Sequence, residues 1–445
     1  MKYCSTNGKA PLATLQKAVV KGLAEDKGLY MPQSIKPLPQ SFFGNIQNLS
    51  FQEIAYQVAD CFFGEDVEAD ALRKIVYDTL SFDVPLVKVS SPKEGGQEGA
   101  IYSLELFHGP TLAFKDVGAR FMARLLQYFV KDLKDSKDLK EVNVLVATSG
   151  DTGSAVANGF LGVEGVHVYV LYPKGKVSPI QECQFTTLGQ NITAIEVDGV
   201  FDDCQALVKS AFMDKELNEH MLLTSANSIN VARFLPQSFY YFYAYAQLKK
   251  LGLADNVVAC VPSGNFGNIC SALFGKRMGL PINRFIAANN ENDVFYYYLQ
   301  TGSYYPKRST QTIANAMDVG DPSNFARIYD LYNCSHKAIC ADISGATYTD
   351  ELIACTMREC LQENGYQLDP HGACGYRALQ EGLREGEIGF FLETAHPAKF
   401  KQVVDDICGT DIEIPARLQA FMKGEKQSIP MAKDFADFKA YLLNR

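Results

Sequence analysis

Residues 106–118 read Leu-Phe-His-Gly-Pro-Thr-Leu-Ala-Phe-Lys-Asp-Val-Gly, and Lys115 within this stretch has apolar neighbours on its N-terminal side. A lysine among apolar residues is costly unless its charge is paired or its pKa falls. The neutral lysine amine is also the form that attacks a carbonyl to make a Schiff base. The alternative is a solvated lysine on a helix that begins near Asp116. Composition alone favours that alternative, because most lysines are solvated.

Length and composition limit the remaining possibilities. The chain has 445 residues, which predicts two or three domains. Hydrophobic residues make up 47% and charged residues 21%, which is typical of a folded globular protein. A net charge of -9 argues against a general nucleic-acid binder, since such proteins usually present a basic face. A small anionic substrate remains compatible with a local basic pocket.

Cysteines and apolar stretches indicate the compartment. The twelve cysteines form no Cys-x-x-Cys pair, so we predict no metal site and no disulfide framework. Polar residues interrupt residues 1–24, so no signal-peptide core is predicted. The aromatic stretch 239–246 is shorter than the roughly 18 residues of a membrane span and reads as a buried or interface helix. These features predict a cytoplasmic protein without a membrane partner.

Helical and strand patterns occupy different parts of the chain. The first 85 residues are mostly helical in pattern, with candidates at Leu15–Ala24, Phe51–Phe63 and Ala69–Leu80. From about residue 86, β-branched runs alternate with helical patterns. The strand candidates are Val142–Thr148, Val166–Tyr172, Ile192–Val197, Val257–Val261, Arg284–Ala288 and Ile388–Glu393. This alternation predicts an α/β fold with a mostly parallel sheet covered on both faces.

Two loops of small residues each follow a predicted strand and precede a predicted helix. They are 147–154, Ala-Thr-Ser-Gly-Asp-Thr-Gly-Ser, and 261–269, Val-Pro-Ser-Gly-Asn-Phe-Gly-Asn-Ile. Backbone N–H groups at a helix N-terminus attract anions, and small residues let a ligand approach closely. The first loop is equally explained by a helix cap at Asp151 or Thr152. The second is equally explained by a plain strand-to-helix turn.

Three further runs place polar side chains where a ligand could bind. Residues 225–233 end in Arg233, whose planar fork suits phosphate, although a solvated helix face explains it too. Lys176 belongs to a small basic patch after a strand and either lines a channel or is solvated. Thr394 follows the last predicted strand and is either a ligand hydroxyl or a buried structural residue.

The run His108–Asp116 resembles the pyridoxal-phosphate lysine motif of threonine synthases. Its core, Ala113–Asp116, is similar to the wider group of serine/threonine dehydratases. Residues 22–32 resemble the N-terminal module of the family, with Lys27 where a glycine is expected. The resemblance implies a fold type II α/β enzyme with two open, mostly parallel α/β subdomains. These would form residues 86–445 with the active site between them, after a small, mainly helical N-terminal domain at 1–85.

The resemblance also implies a role for each run. Lys115 would be the Schiff-base lysine and proton shuttle. Other contacts to pyridoxal 5'-phosphate would come from Gly264, Asn265, Phe266, Gly267, Asn268, Thr394 near the ring nitrogen, and Asp151, where many relatives carry asparagine. Substrate contacts would come from Ser149, Gly150, Thr152, Asn227, Ser228, Asn230, Arg233 and Lys176. His396 is expected to be structural, and no definite role follows for His371.

The implied activity converts O-phospho-L-homoserine and water to L-threonine and phosphate by β,γ-elimination and β-addition. This is a carbon–oxygen lyase reaction and the last step of threonine biosynthesis. It implies a small-molecule substrate, no nucleic-acid or membrane partner, and a monomer or homodimer. A phosphohomoserine lyase or serine/threonine dehydratase is an alternative that the sequence does not separate. A catalytically silent phosphate-binding homologue is a second alternative, against which the intact Lys115 argues.

Overall fold

The computed structural model describes residues 1–90, 99–134 and 141–444, and the chain divides into two compact units. The first unit comprises Met1, residues 31–114 and residues 234–413. The second comprises residues 2–30, 115–233 and 414–445. Both units are therefore assembled from separate segments of the chain. The predicted boundary at residue 85 stays a prediction.

Strands and helices alternate through most of the chain. The strands are β1 Lys2–Ser5, β2 Ala13–Thr14, β3 Tyr30–Pro32, β4 Leu86–Ser90, β5 Ile101–Glu105, β6 Val142–Ala147, β7 Val166–Pro173, β8 Ile192–Val197, β9 Leu222–Ser225, β10 Val257–Pro262, β11 Arg284–Asn289, β12 Ile343–Thr347, β13 Ile388–Glu393 and β14 Ile429–Met431. The helices are α1 Leu15–Lys21, α2 Gln40–Asn45, α3 Phe51–Phe63, α4 Ala69–Thr79, α5 Lys115–Lys134, α6 Asp151–Phe160, α7 Pro179–Thr186, α8 Phe201–Met213, α9 Lys215–His220, α10 Val231–Phe234, α11 Phe239–Lys250, α12 Gly267–Arg277, α13 Val294–Thr301, α14 Phe325–Leu331, α15 His336–Asp342, α16 Asp350–Asn364, α17 Pro370–Gly382, α18 Lys401–Cys408, α19 Ala416–Met422 and α20 Phe435–Leu443. Short 3₁₀ turns occur at Ile46–Asn48, Leu235–Ser238, Asn315–Met317 and Pro397–Phe400.

The first unit contains a six-stranded sheet in the order β12-β11-β10-β13-β5-β4. All neighbours are parallel except the edge strand β4, which is antiparallel to β5. Every residue of β10 is buried, as expected for a strand covered on both faces. Helix α17 packs on β10, β11 and β13 and contributes Ala373, Cys374 and Leu379 to the core.

The second unit contains a five-stranded sheet in the order β14-β8-β7-β6-β9, with all neighbours parallel. All residues of β6 and β7 are buried. Helix α8 packs on both strands, and Phe438 and Leu442 of α20 belong to the same apolar cluster. The prediction of two open, mostly parallel α/β sheets is thus confirmed.

Local sequence signals account for the N-terminal helices. Thr14 accepts a hydrogen bond from the Lys17 N–H and caps α1, and Ser50 forms a capping box with Glu53 at the start of α3. Lys27 has a φ of 67°, in the left-handed region that favours glycine. This backbone conformation explains why a glycine is expected at that position.

Within the described residues, no helix combines the length and the apolar character that a membrane crossing requires.

Candidate functional site

Lys115 is the first residue of α5 and is partly buried. The segment that precedes it is held by hydrogen bonds within the first unit. The Phe114 N–H donates to the Thr394 carbonyl at 2.8 Å, and the His396 N–H donates to the Leu112 carbonyl at 3.0 Å. Lys115 therefore follows directly on a residue whose backbone is bonded to the strand end that carries Thr394.

The backbone before Lys115 is also strained. Leu112 has a φ of 58°, which is rare for a side chain of this kind. The buried ammonium of Lys399 donates to the neighbouring Thr111 carbonyl at 2.9 Å. Strained backbone persists where surrounding contacts determine it, and such positions concentrate at functional sites. The entry into α5 is therefore a rigidly determined turn.

The loop 263–268 connects β10 to α12 in the first unit and includes the first two residues of that helix. Phe266 precedes the helix with a φ of 60°, so the backbone turns sharply and directs the first N–H groups of α12 out of the helix. The Asn265 side-chain carbonyl accepts from the Ser323 N–H at 2.6 Å, and the Asn324 amide donates to the Asn265 backbone carbonyl at 3.0 Å. A Cβ on Gly264 would lie 2.8 Å from the Ala316 carbonyl oxygen, so only glycine fits.

Asn268 provides a side-chain donor in the same loop. Its carbonyl oxygen accepts from the hydroxyls of Tyr240 at 2.6 Å and Tyr241 at 2.7 Å, which fixes the amide plane. Its Nδ2 is buried and has no hydrogen-bond partner among the described residues. Backbone N–H groups at a helix N-terminus together with an orphaned amide donor are a suitable set for a phosphate ester. The loop therefore fits the cofactor phosphate.

Thr394 lies at the same edge of the sheet as this loop. Strands β10 and β13 are parallel neighbours, so their carboxyl ends, Pro262 and Glu393, meet at one edge. Thr394 follows β13 and is 7% exposed. Sequence reasoning thus identified two polar segments that the fold of the first unit brings to one sheet edge.

In the second unit, the loop 148–152 follows β6. The Thr148 hydroxyl accepts from the N–H groups of Gly150 at 2.9 Å and Gly153 at 2.8 Å. Gly150 has a φ of 144°, and a Cβ there would collide with the Gln181 amide. Ser149 and Thr152 are partly exposed. The loop is therefore a tight helix entry.

Asp151 is the first residue of α6 and is 5% exposed. The Gln181 amide donates to its carboxylate at 2.8 Å. A carboxylate at a helix N-terminus is stabilised by the helix dipole. The predicted contact of Asp151 with the cofactor ring stays a prediction.

The run 225–233 lies beside that loop, because β9 is the parallel neighbour of β6. The Asn227 amide donates to the Ala147 carbonyl at 3.3 Å, while Ser228 is partly exposed. Asn230 is fully buried and donates to the carbonyls of Val19 at 2.9 Å and Ser225 at 3.2 Å. Its own carbonyl accepts from the Ala232 N–H at 3.0 Å. Its side chain is thus engaged in shaping the turn.

Arg233 is 2% exposed, and burial lowers its pKa to about 10 although the Asp116 carboxylate acts in the opposite direction. The guanidinium therefore remains charged at neutral pH. Its electrostatic partner Asp116 is the residue after Lys115, so the second unit brings two separately predicted segments together. Lys176, by contrast, lies in an exposed turn after β7.

Two groups of buried polar residues escaped sequence reasoning. The composition of the stretch 239–246 predicts only a buried or interface helix, yet two of its tyrosines position Asn268. Asp369 and Glu393 were not singled out, although Glu393 is buried at the end of β13 beside Thr394. His396, expected to be structural, accepts from the Ala398 N–H at 3.1 Å and caps a 3₁₀ turn.

Comparison with known proteins identifies the family. Three family models match the chain: "Threonine synthase N terminus" at residues 2–80, "Pyridoxal-phosphate dependent enzyme" at 79–392 and "Threonine synthase, C-terminal" at 372–442. A threonine synthase of Haemophilus influenzae is 43% identical over 430 residues, covering 97% of this chain and 96% of its own length. The chain belongs to the threonine synthase family.

Solved structures agree with this family assignment. The crystal structure of threonine synthase from Escherichia coli matches with a TM-score of 0.91 and 40% identity, over 100% of both chains. The structure of PLP-bound threonine synthase from Brucella melitensis matches with a TM-score of 0.90 and 34% identity, over 100% of this chain and 99% of that one. The fold type II assignment and the pyridoxal-phosphate dependence of the family are thereby established for this chain.

Proposed function

We propose that this enzyme converts O-phospho-L-homoserine and water to L-threonine and inorganic phosphate, the last step of threonine biosynthesis. The observation that carries the proposal is the similarity to threonine synthases along the whole chain, which includes both terminal family modules. Bound pyridoxal phosphate would supply an electron sink that stabilises negative charge at the substrate's Cα. All other roles fall to side chains and backbone groups of this chain.

Lys115 is the proposed covalent anchor of the cofactor and the proton carrier. With substrate bound, the Lys115 Nζ would take a proton from Cα and then one from Cβ, after which phosphate would leave from Cγ. Two protons return to the substrate, one at Cγ and one at Cα. Water adds its hydroxyl at Cβ and its remaining proton passes to the departing phosphate, so atoms and charges balance. The turn before Lys115, which is held by hydrogen bonds, supports this role because it restricts the positions that the Lys115 amine can reach.

Most of the proposed cofactor ligands other than Lys115 belong to the first unit. The N–H groups and the Asn268 amide of the loop 264–268 would hold the cofactor phosphate. Thr394 would place its hydroxyl at the ring nitrogen, where a neutral partner leaves that nitrogen largely unprotonated. Asp151 of the second unit is proposed to face the ring hydroxyl.

Residues of the second unit are the proposed substrate ligands. Ser149, Gly150 and Thr152 would bind the substrate carboxylate at the entry of α6. Arg233, Asn227 and Ser228 would bind the substrate phosphate, with Lys176 contributing from its exposed turn. Asn230, whose amide is engaged with Val19 and Ser225, acts by positioning these neighbours. Holding both ends of the substrate aligns the leaving group.

Product analysis tests the proposal. Purified protein is incubated with pyridoxal phosphate and O-phospho-L-homoserine, and threonine, phosphate and keto acid are quantified. Threonine with equimolar phosphate is expected. A keto acid in place of threonine would assign a phosphohomoserine lyase or dehydratase, and no turnover with no bound cofactor would assign a silent homologue. Lys115→Ala should abolish turnover, whereas Lys131→Ala, an exposed lysine of the same helix, should not.

The setting proposed for the enzyme is the cytoplasm, with a small-molecule substrate, no nucleic-acid partner, and a monomeric or homodimeric state. The net charge of -9 and the twelve cysteine thiols support this setting. Light scattering after size-exclusion chromatography distinguishes the two oligomeric states.

A further inference from the structure

Glu393 is the last residue of β13 and is fully buried. Its Oε1 accepts from the Asp369 N–H at 2.7 Å, whereas its Oε2 has no hydrogen-bond partner among the described residues. Gly372 packs so closely that a Cβ there would overlap Oε2. The carboxyl is therefore enclosed by the first turn of α17.

The surroundings of Glu393 favour an uncharged carboxyl. Burial and the nearby Asp369 carboxylate raise its pKa well above the usual range, and Glu105 adds to the effect. A buried carboxylate that lacks a second donor is unstable relative to its protonated form. The enclosure of Glu393 and its unpartnered Oε2 therefore favour the protonated form of this carboxyl.

Asp369 connects Glu393 to His371. One oxygen of Asp369 accepts from the Gly372 N–H at 2.6 Å and caps α17, and the other lies 2.8 Å from Nδ1 of His371. The Ala316 N–H donates to Nε2 of His371 at 3.1 Å. Because Nε2 accepts, Nδ1 carries the ring proton and donates to Asp369.

The loop that contains Ala316 supports the predicted phosphate loop. The Ala316 carbonyl and the Met317 Cα leave no space for a side chain at Gly264. Asp318 anchors the same loop by accepting from the Thr312 N–H at 3.0 Å and the Asn290 amide at 2.9 Å. A displacement of Ala316 would therefore be transmitted to the backbone at Gly264.

The other end of this series of contacts is Thr394. It follows Glu393 directly, and its carbonyl accepts from Phe114, the residue before Lys115. Fixing the Glu393 side chain against α17 therefore also fixes the backbone that presents Thr394.

We propose that Glu393, Asp369 and His371 form a positioning network that couples the strand end bearing Thr394 to the loop bearing Gly264. The network holds the proposed ring-nitrogen contact and the proposed phosphate contact at a fixed separation, and its three members do not themselves react. This inference rests on the proposed function, because it assumes that both segments bind the same cofactor. Outer-shell residues of this kind typically change ligand affinity about tenfold or more when they are removed.

The test measures the affinity of the cofactor-free enzyme for two probes, pyridoxal phosphate and pyridoxal, by absorbance titration. Glu393→Gln keeps a neutral planar group and should bind both probes within about threefold of wild type. Glu393→Ala should weaken both by about tenfold, because Thr394 loses its support. His371→Phe keeps a ring of similar volume. It should lower the affinity for pyridoxal phosphate about tenfold, whereas its affinity for pyridoxal should stay within about threefold of wild type. Glu385→Gln, on the exposed surface, is the matched control.

The outcomes separate the two levels of inference. Rescue by Glu393→Gln with the probe-dependent loss in His371→Phe supports the network, because general destabilisation would affect both probes alike. Equal losses in Glu393→Gln and Glu393→Ala would overturn the neutral role of Glu393. If Glu393→Ala does not fold, unchanged affinity of His371→Phe for pyridoxal phosphate overturns the network by itself. Wild-type protein that binds neither probe would refute the proposed function instead.

Discussion

Replacing Asn268 by alanine tests the tyrosine support of the predicted phosphate loop. Tyr240 and Tyr241 are both fully buried, and their hydroxyls donate to the same Asn268 oxygen at 2.6 and 2.7 Å. An unsatisfied buried donor costs about 1–3 kcal/mol. Tyr241 retains a long contact of 3.4 Å to the Asn268 backbone carbonyl, so its loss is at the low end of that range. We therefore expect Asn268→Ala to lower the free energy of unfolding by about 2–4 kcal/mol.

The assay is urea unfolding of the cofactor-free enzyme, followed by circular dichroism. The decisive comparison introduces Asn268→Ala into a Tyr240→Phe/Tyr241→Phe background, in which no hydroxyl is left unsatisfied. There it should cost at least about 1 kcal/mol less than in the wild-type protein. Tyr243 lies on the same helix as Tyr240 and Tyr241, and its hydroxyl contacts Asp83 at 3.1 Å. Tyr243→Phe should lower the free energy of unfolding by no more than about 0.5 kcal/mol. Equal costs of Asn268→Ala in the two backgrounds would refute the reasoning.

Three further predictions concern backbone strain and pH. Gly150→Ala should lower stability by about 2–4 kcal/mol, because strain at a φ of 144° adds to the collision with Gln181. Gly175 also has a positive φ, 67°, but a Cβ there would meet no atom within 4 Å, so Gly175→Ala should lower stability by only about 1 kcal/mol. Equal decreases in the melting temperature of the two variants would contradict the collision at Gly150. Lys27→Gly should leave the free energy of unfolding unchanged or raise it by up to about 1 kcal/mol, because it relieves strain at a φ of 67°. Lys21→Gly within α1 should lower it, because glycine is unfavourable inside a helix. A loss of stability in both variants would contradict the strain at Lys27. Burial raises the pKa of Asp318 from 3.8 to about 6 in the folded protein. Between about pH 4 and 6 the Asp318 carboxyl therefore holds a proton in the folded protein that it has released in the unfolded chain. The stability that this proton contributes is lost as the pH rises through that interval. The stability difference between wild type and Asp318→Asn should change over that interval, and a difference that is constant with pH would rule out the shift.

The strands that sequence predicted are those whose own residues determine burial. The interiors of β6, β7, β8, β10, β11 and β13 are continuous or nearly continuous apolar runs bounded by turn residues, and the predicted positions agree with the structure. The other strands were not predicted, and they are short or contain Ser, Gly or Pro: β1, β2, β3, β4, β5, β9, β12 and β14. Their pairing depends on neighbours far along the chain: β5 joins β13 through a register that links Ile101 to Gly389. A local pattern carries no information on such pairing.

The candidate functional site likewise combines features that local sequence predicts with features that depend on long-range packing. Both loops of small residues were found because a strand, a turn and a helix start adjoin in sequence. The contact between Asp369 and Glu393 is not predictable from local sequence, because 24 residues separate them and only the packing of α17 on β13 brings them together. Burial of the aromatic stretch 239–246 was predictable from its composition, but the direction in which Tyr240 and Tyr241 point was not. Engagement of Asn230 with Val19 likewise depends on where α1 docks within the second unit.

The distribution of the proposed ligands over the two units makes their roles experimentally separable. Loop 264–268 and Thr394 belong to the first unit, whereas the proposed substrate ligands Ser149, Gly150, Thr152 and Arg233 belong to the second. Variants in the first group should therefore change cofactor affinity before substrate is added. Variants in the second group should raise KM or lower kcat in enzyme that is already loaded with cofactor. Lys115 and Asp151 are exceptions, because both are proposed cofactor contacts that belong to the second unit, so replacing either should affect both measurements.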